Sequence, residues 1–165
     1  MKKLILILIF IPNILLAGSM KAIGVKGSGE SVDRVIKVSM YDNYYKPNKF
    51  KIKKNETIKF VVENKGELVH EFNISTKEMH LKHQPEMMMM VEHEILLADK
   101  IDKKKMMEMS KKNPAMAHSH SNSVLLSPGD KAELIWKFSN TVDIEAACNV
   151  PGHYDVGMVA KIDNI

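Results

Sequence analysis

Cysteine is almost absent from this chain of 165 residues, whose single thiol belongs to Cys148. One cysteine cannot form an internal disulfide, so no disulfide framework stabilises the fold. An odd cysteine, above all in an exported protein, indicates intermolecular pairing, a reactive thiol or a metal ligand. The residues around Cys148 must decide among these three roles.

Long hydrophobic runs and a strong charge of one sign are also missing. The longest apolar run, residues 4–11, is much shorter than the roughly 20 residues that a transmembrane helix needs. The formal net charge is +4, and no Lys/Arg-rich stretch is interleaved with aromatic residues as a nucleic-acid surface requires. The sequence therefore predicts neither a stable membrane anchor nor a nucleic-acid partner.

The first nineteen residues have the pattern of a signal peptide. Lys2 and Lys3 precede the apolar run, and the small residues at 17–19 offer a cleavage site. We therefore predict a signal peptide over residues 1–19 and a periplasmic protein. The next segment, 20–33, is small and polar and contains several glycines, so we expect a flexible leader there.

Over residues 34–165, short segments alternate apolar and polar residues at period two and are separated by turn residues. Seven or eight such strands favour an antiparallel sandwich or barrel. The pattern is interrupted from about 75 to 121. There the composition predicts two helices, 86–100 and 103–111, the first opened by Pro85. We expect one all-β domain with a partly helical insertion.

The segment from Cys148 to Met158 carries the chemistry. It places a thiolate, the imidazole of His153 and a thioether at intervals of five residues on one loop between strands. A second imidazole comes from His70, which shares its strand parity with the apolar Phe72 and should point inward. Two imidazoles, a thiolate and a weak axial thioether form a blue-copper ligand set, whereas Met is a poor ligand for structural zinc.

We therefore predict one type 1 copper ion bound by His70, Cys148, His153 and Met158. The alternative is that Cys148 and Met158 are ordinary core residues. That alternative must explain why three soft or borderline ligands share one short loop.

The chain resembles the cupredoxins of the plastocyanin and azurin group from about Val35 to the C-terminus. The ligand loop, with Pro-Gly-His-Tyr at 151–154 and Gly-Met at 157–158, is one specific match. Other matches are the segments 45–50, 54–60 and 69–72. The resemblance implies a Greek-key β-sandwich with copper near one end. Glu71 departs from the family, in which Asn commonly follows the first His ligand and helps to hold the thiolate loop.

Methionine is the residue in excess, and most of it lies in the insertion. Residues 79–120 contain nine Met and five His, and they resemble the Met/His-rich stretch of the periplasmic copper-tolerance branch of the cupredoxins. Thioethers are soft ligands that favour Cu(I), so we predict auxiliary Cu(I) or Ag(I) binding; the alternative is hydrophobic packing or partner docking. The candidate auxiliary ligands are Met79, His80, His83, Met87, Met88, Met89, Met90, His93, Met106, Met107, Met109, Met116, His118 and His120.

Residue counts exclude several copper chemistries. One cysteine cannot form a dinuclear electron-transfer centre, and the single His-x-His at 118–120 is too little for a trinuclear cluster. No catalytic residue is predicted, although a weak cuprous oxidase activity stays open. Two functions remain. The insertion favours copper tolerance by binding, buffering or redox cycling, and the alternative is electron transfer between periplasmic redox proteins. Either implies a periplasmic redox or copper-handling partner.

Overall fold

The computed structural model describes residues 20–139 and 141–165, so the predicted signal peptide over 1–19 lies outside the described residues. Within them, ten strands form two five-stranded sheets, which confirms the predicted all-β sandwich. The strands are β1 (Gly24–Lys26), β2 (Arg34–Tyr41), β3 (Tyr44–Lys46), β4 (Lys49–Ile52), β5 (Thr57–Asn64), β6 (His70–Ser75), β7 (Ser123–Leu126), β8 (Lys131–Phe138), β9 (Glu145–Ala147) and β10 (Val159–Asn164).

The first sheet has the strand order β1-β8-β5-β2-β3, and the second has the order β4-β10-β9-β6-β7. The pairs β2–β5 and β4–β10 are parallel, whereas the other pairs in the described residues are antiparallel. The expectation of an antiparallel arrangement is therefore wrong for two pairs. Alternation of apolar residues sets the face on which a side chain lies, but it says nothing about strand direction.

The main core lies between the two sheets. The rings of Phe50, Phe60 and Phe72 contact one another with centroids 5.3 to 6.1 Å apart, and all three are buried. Burying a side chain of this size contributes about 1.5–3 kcal/mol. Strand β6 is buried at every position, because the insertion packs over its outer face while the core covers its inner face. Polar residues of β6 are therefore buried beneath the insertion.

The insertion between β6 and β7 contains helices α1 (Lys77–Glu92) and α2 (Lys103–Ser110) and a 3-10 helix (Pro114–Ala117). The predicted helix over 86–100 is wrong in its bounds. The helix begins earlier because the Thr76 side chain caps it, accepting from the backbone N–H of Met79. Pro85 lies inside α1 instead of opening it, at the cost of one helical hydrogen bond. No helix in the described residues is long and apolar enough to cross a membrane.

A second apolar cluster lies beneath the insertion. Its buried members are Val69, Met87, Met90, Ile95, Leu96 and Met116. The consecutive methionines of α1 point in different directions around the helix, so Met87 and Met90 are buried whereas Met88 is 46% exposed. Hydrophobic packing therefore accounts for part of the methionine excess.

The segment 20–33, for which the composition predicts a flexible leader, is ordered where it meets the sandwich. Strand β1 pairs with β8, and a 3-10 helix (Gly29–Ser31) follows it. Gly24 has a φ of +134°, and a Cβ at this position would lie 2.3 Å from the carbonyl oxygen of Lys137. At this position the glycine permits close pairing of the two backbones.

We expect Gly24→Ala to lower the free energy of unfolding by about 1–3 kcal/mol, because the new methyl group meets backbone and the φ is unfavourable for alanine. Denaturant unfolding followed by fluorescence of Trp136 measures the change, since this is the one tryptophan of the chain. Gly29→Ala is the matched control, because its Cβ would contact only Ile135 at 3.8 Å. Equal stabilities of the two variants would contradict the packing described for β1.

Candidate metal centres

Three residues distant in the sequence meet at one end of the second sheet. His70 begins β6, Cys148 follows β9, and His153 lies in the turns before β10. The Cys148 Sγ lies 3.3 Å from His153 Nδ1 and 4.0 Å from His70 Nδ1, and the two Nδ1 atoms are 3.2 Å apart. These separations are shorter than the sums of the metal–ligand bonds that would join them, about 2.3 Å to sulfur and about 2.0 Å to nitrogen. The three atoms therefore fit one metal ion.

The orientation of His70 is set by a carboxylate behind it. His70 Nε2 donates to Asp42 Oδ1 at 2.9 Å, so the Nδ1 lone pair faces the sulfur. Burial lowers the pKa of His70 and outweighs the opposite effect of Asp42, which favours the neutral ring that a metal requires. Around metal sites, a ligand imidazole usually donates its other ring N–H to a carboxylate, a backbone carbonyl or water.

Asp42 is itself held in place by the backbone around it. Its carboxylate accepts the backbone N–H groups of Glu67 and Leu68 at 3.1 to 3.2 Å. Gly66 leaves room for this contact, since a Cβ there would lie 2.3 Å from Asp42 Oδ1 and 3.0 Å from His70 Nε2. The sequence did not reveal Asp42 as a positioning residue, because no pattern links it to a histidine 28 positions later.

The Cys148 thiol is fully buried, and its Sγ accepts a hydrogen bond from the Glu71 backbone N–H at 3.3 Å. Burial raises the pKa of Cys148 to about 12. The thiol is therefore protonated at neutral pH unless a cation takes the place of the proton. A metal ion bound by the two imidazoles is such a cation.

Met158 lies beside Cys148 at the end of the loop that begins there. Its carbonyl oxygen accepts the Cys148 N–H at 3.2 Å, and its own N–H donates to the His153 carbonyl at 3.0 Å. The side chain is fully buried in the main core. Positive φ angles at Gly152 and Gly157 allow the tight turns of the loop. The four predicted ligands thus occupy one region, with the loop closed by backbone hydrogen bonds.

Glu71 accepts hydrogen bonds from the loop that begins at Cys148, at the position where the family resemblance implies an asparagine. Its side chain lies on the opposite face of β6 from His70 and is fully buried. Oε2 accepts both the backbone N–H of Asn149, at 3.2 Å, and its side-chain Nδ2, at 2.7 Å. Since Asn149 directly follows Cys148, the glutamate holds the thiolate loop from behind.

A second cluster of potential ligands lies on the outer side of Glu71. One ligand nitrogen from each of His83, His118 and His120 lies within 4.8 Å of the other two. Glu71 Oε1 is 3.0 Å from His118 Nε2 and 3.3 Å from His83 Nε2. Glu86 contacts the other side, 2.8 Å from His120 Nε2 and 3.4 Å from His83 Nδ1. The sequence singled out the three histidines but not the two carboxylates.

In this second cluster the carboxylates and the histidines shift the pKa values of one another. Burial alone would raise the pKa of Glu71, but hydrogen bonds from His118 and His83 hold it well below its usual range. Burial likewise opposes the shift at Glu86, whose pKa is lowered to about 2 by His120 and His83. The pKa of His83 rises to about 9 against the effect of burial, because both carboxylates face its ring.

The other predicted auxiliary ligands are spread over the insertion. His80 is buried, with Nδ1 3.1 Å from Asn149 Oδ1. Met79 packs against the main core. The cluster beneath the insertion includes Met87, Met89, Met90, Met106, Met109 and Met116. Three candidates face solvent, namely Met88, His93 and Met107.

Comparison with known proteins assigns the family. The model of the cupredoxin-like domain matches residues 6–101. A copper-resistant cuproprotein CopI of Pseudomonas aeruginosa is 38% identical over 148 residues, which cover 86% of this chain and 82% of the relative. This chain belongs to the cupredoxin-like family. A copper-resistant cuproprotein CopI of Vibrio cholerae is 30% identical, covering 87% of this chain and 73% of the relative.

Solved structures support the fold of this cupredoxin-like chain. Auracyanin B superposes with a TM-score of 0.59 at 11% identity, covering 86% of this chain and 96% of its own. An auracyanin from Roseiflexus castenholzii gives a TM-score of 0.55 at 15% identity, covering 81% of this chain and 98% of its own. At these identities the likeness concerns the fold alone.

We expect Asp42→Ala to release the His70 ring, so that its Nε2 proton is no longer fixed. Nitrogen NMR of the histidine rings should show one tautomer in the original protein and a mixture in the variant. Metal affinity at Cys148 should fall by about 10–100-fold, as when other carboxylates behind ligand histidines are removed.

Asp42→Asn is the matched control for this experiment, because its side-chain oxygen can still accept from His70 Nε2. It should preserve the tautomer and most of the affinity. An Asp42→Ala protein with an unchanged His70 tautomer would show that the carboxylate does not orient the ring.

Proposed function

We propose that this protein is a periplasmic copper-tolerance protein with a type 1 copper site formed by His70, Cys148, His153 and Met158. The observation that carries the proposal is the pair of imidazole Nδ1 atoms facing one buried thiol. The relatives named copper-resistant cuproprotein support it independently. Copper bound there would supply one-electron cycling between Cu(I) and Cu(II).

The donor set favours copper over zinc. Thiolate and thioether are soft ligands that suit Cu(I), and the imidazoles suit both oxidation states. The protein contributes rigidity, because His70 belongs to a strand buried on both faces and the loop from Cys148 to Met158 is closed at both ends. A site that cannot rearrange between oxidation states is suited to electron exchange.

A periplasmic location rests on the signal-peptide pattern of residues 1–19. The single cysteine agrees with it, because a buried, metal-bound thiolate is protected from the oxidation that exposed thiols undergo outside the cytoplasm. Copper tolerance in this compartment means binding, buffering or redox cycling of copper ions.

A second function, electron transfer to another periplasmic protein, is favoured by the surface around His153. This ligand borders an apolar depression lined by Leu68, Val91, Leu96, Leu97, Ala98, Val150 and Pro151. An apolar surface at the edge of a redox ligand suits brief docking of a redox or copper-handling partner. The insertion contributes Val91, Leu96 and Leu97 to the depression, so both functions use the same structural addition.

We expect the Cu(II) form to show an intense thiolate-to-copper charge-transfer band, which Cys148→Ser abolishes because the thiolate is lost. Met158→Leu should retain the band and shift the reduction potential, since the axial bond is weak. Visible spectra and voltammetry measure both effects. Colour that persists in Cys148→Ser would disprove the assignment of the thiolate ligand.

For auxiliary Cu(I) binding, exposed thioethers should matter more than buried ones. We expect Met88→Leu combined with Met107→Leu to lower the number of Ag(I) ions bound, because these are the most exposed methionines of the insertion. Met87→Leu with Met90→Leu is the matched control, since both side chains are packed in the second cluster. Equal Ag(I) counts in all three proteins, measured by titration calorimetry, would overturn the capture hypothesis.

A further inference from the structure

We propose that His83, His118 and His120, together with the carboxylates of Glu71 and Glu86, form a second metal site that binds Cu(II). Glu71 connects this site to the thiolate centre. The inference goes beyond the proposed function, which needs only the centre at Cys148.

The geometry of the cluster suits one ion. His83 Nε2 and His118 Nε2 are 3.3 Å apart, less than twice a metal–nitrogen bond of about 2.0 Å. Both side chains belong to the insertion and are largely buried, with exposed fractions of 11% for His83 and 4% for His118. Glu71 Oε1 lies within 3.3 Å of both nitrogens. His120 is the outermost of the three, at 36% exposed, and one of its ring nitrogens lies within 4.8 Å of the ligand nitrogens of the other two.

The backbone is arranged to aim one of these rings inward. His118 follows the 3-10 helix Pro114–Ala117 and has a φ of +44° and a ψ of +47°. A non-glycine residue in this left-handed region is uncommon and costs free energy, and such residues concentrate at functional sites. Here the conformation directs the His118 imidazole to the buried carboxylate of Glu71.

Charge balance also calls for a cation. The ion-pair partners of Glu71 and Glu86 in the described residues are histidines, not lysines or arginines. A fully buried carboxylate such as Glu71 needs a compensating positive charge. Protons on the imidazoles supply it without metal, and a divalent ion supplies it with the imidazoles acting as ligands instead.

The donor atoms decide which oxidation state is bound. Imidazole nitrogens and carboxylate oxygens favour divalent ions, whereas Cu(I) prefers thioether and thiolate sulfur. Among first-row divalent metals, Cu(II) binds such nitrogen and oxygen sites most tightly. The second site therefore complements the soft methionines of the same insertion.

An ion can reach this cluster from solvent. A groove of about 460 Å³ opens beside it and is lined by His83, Glu86 and His120 together with Met20 and Met79. The carboxylate of Glu86 and the rings of His83 and His120 lie on the wall of the groove. His118 and Glu71 are more deeply buried, with exposed fractions of 4% and 0%.

Glu71 contacts both centres, one through its backbone N–H and the other through its side-chain carboxylate. Its backbone N–H donates to Cys148 Sγ, and its carboxylate contacts the histidines of the second cluster. Asn149, which follows Cys148, donates twice to the same carboxylate. A cation on the outer side of Glu71, whether a bound metal ion or a protonated imidazole, places positive charge near the thiolate, so it should favour the reduced form of the copper at Cys148.

The test is copper loading of the purified protein with Cu(II), with the metal counted and electron paramagnetic resonance recorded. We expect two bound ions, one with the thiolate charge-transfer band and one with the wide hyperfine splitting of nitrogen and oxygen coordination. His83→Ala combined with His118→Ala should remove the second signal and lower affinity there by more than about 100-fold, above the usual effect of changes outside the ligand set.

Two controls make the result decisive. The thiolate band of the His83→Ala/His118→Ala protein shows whether the sandwich is intact, and Cys148→Ser should lose the band but keep the second signal. His93→Ala removes an exposed histidine of the same insertion and should change neither. A second signal that survives in the His83→Ala/His118→Ala protein, or its absence from the original protein, would overturn the proposed site.

The link through Glu71 has its own measurement. The reduction potential of the copper at Cys148 should be more positive in the protein with both sites filled than in the His83→Ala/His118→Ala protein. Equal potentials would overturn the link. The Cys148→Ser protein separates the two proposals. If the second signal is missing there, the second site is disproved, while the thiolate assignment still rests on the charge-transfer band of the original protein.

Discussion

The buried carboxylate of Glu71 is the interaction on which both candidate metal centres depend. It lies in a strand whose two faces are covered, and its side chain is removed from solvent. On one side it holds Asn149, and with it the loop that begins at Cys148. On the other side it contacts His83 and His118. Leaving such a charge unpaired would cost several kcal/mol, so the surrounding residues are constrained to satisfy it.

The insertion explains how a carboxylate came to be buried in this strand. In an antiparallel sandwich one face of a sheet commonly meets water, and a polar residue at position 71 would be exposed there. Helix α1 and the segment before β7 cover that face and supply the histidines that contact the carboxylate. The same cover buries Met87, Met90 and Met116. The insertion therefore both packs onto the sandwich and surrounds a polar site.

The sequence predicted much of the fold because short-range patterns carry that information. Alternation predicts the strands, and the spacing of Cys148, His153 and Met158 predicts that three candidate ligands share one loop. Other features depend on contacts between distant residues. The hydrogen bond from His70 to Asp42, the parallel pairing of β2 with β5, and the joining of Glu71 to His118 have no local signal. The start of α1 differs from the prediction because Thr76 caps the helix nine residues before Pro85, which lies inside it.

A crystal structure of the copper-loaded protein, with anomalous diffraction recorded at the copper edge, shows directly where copper binds. We expect a copper peak within bonding distance of Cys148 Sγ, His70 Nδ1 and His153 Nδ1. Copper peaks only among the methionines of the insertion, with none at Cys148, would contradict the central claim that the buried thiol is the ligand of a type 1 copper centre.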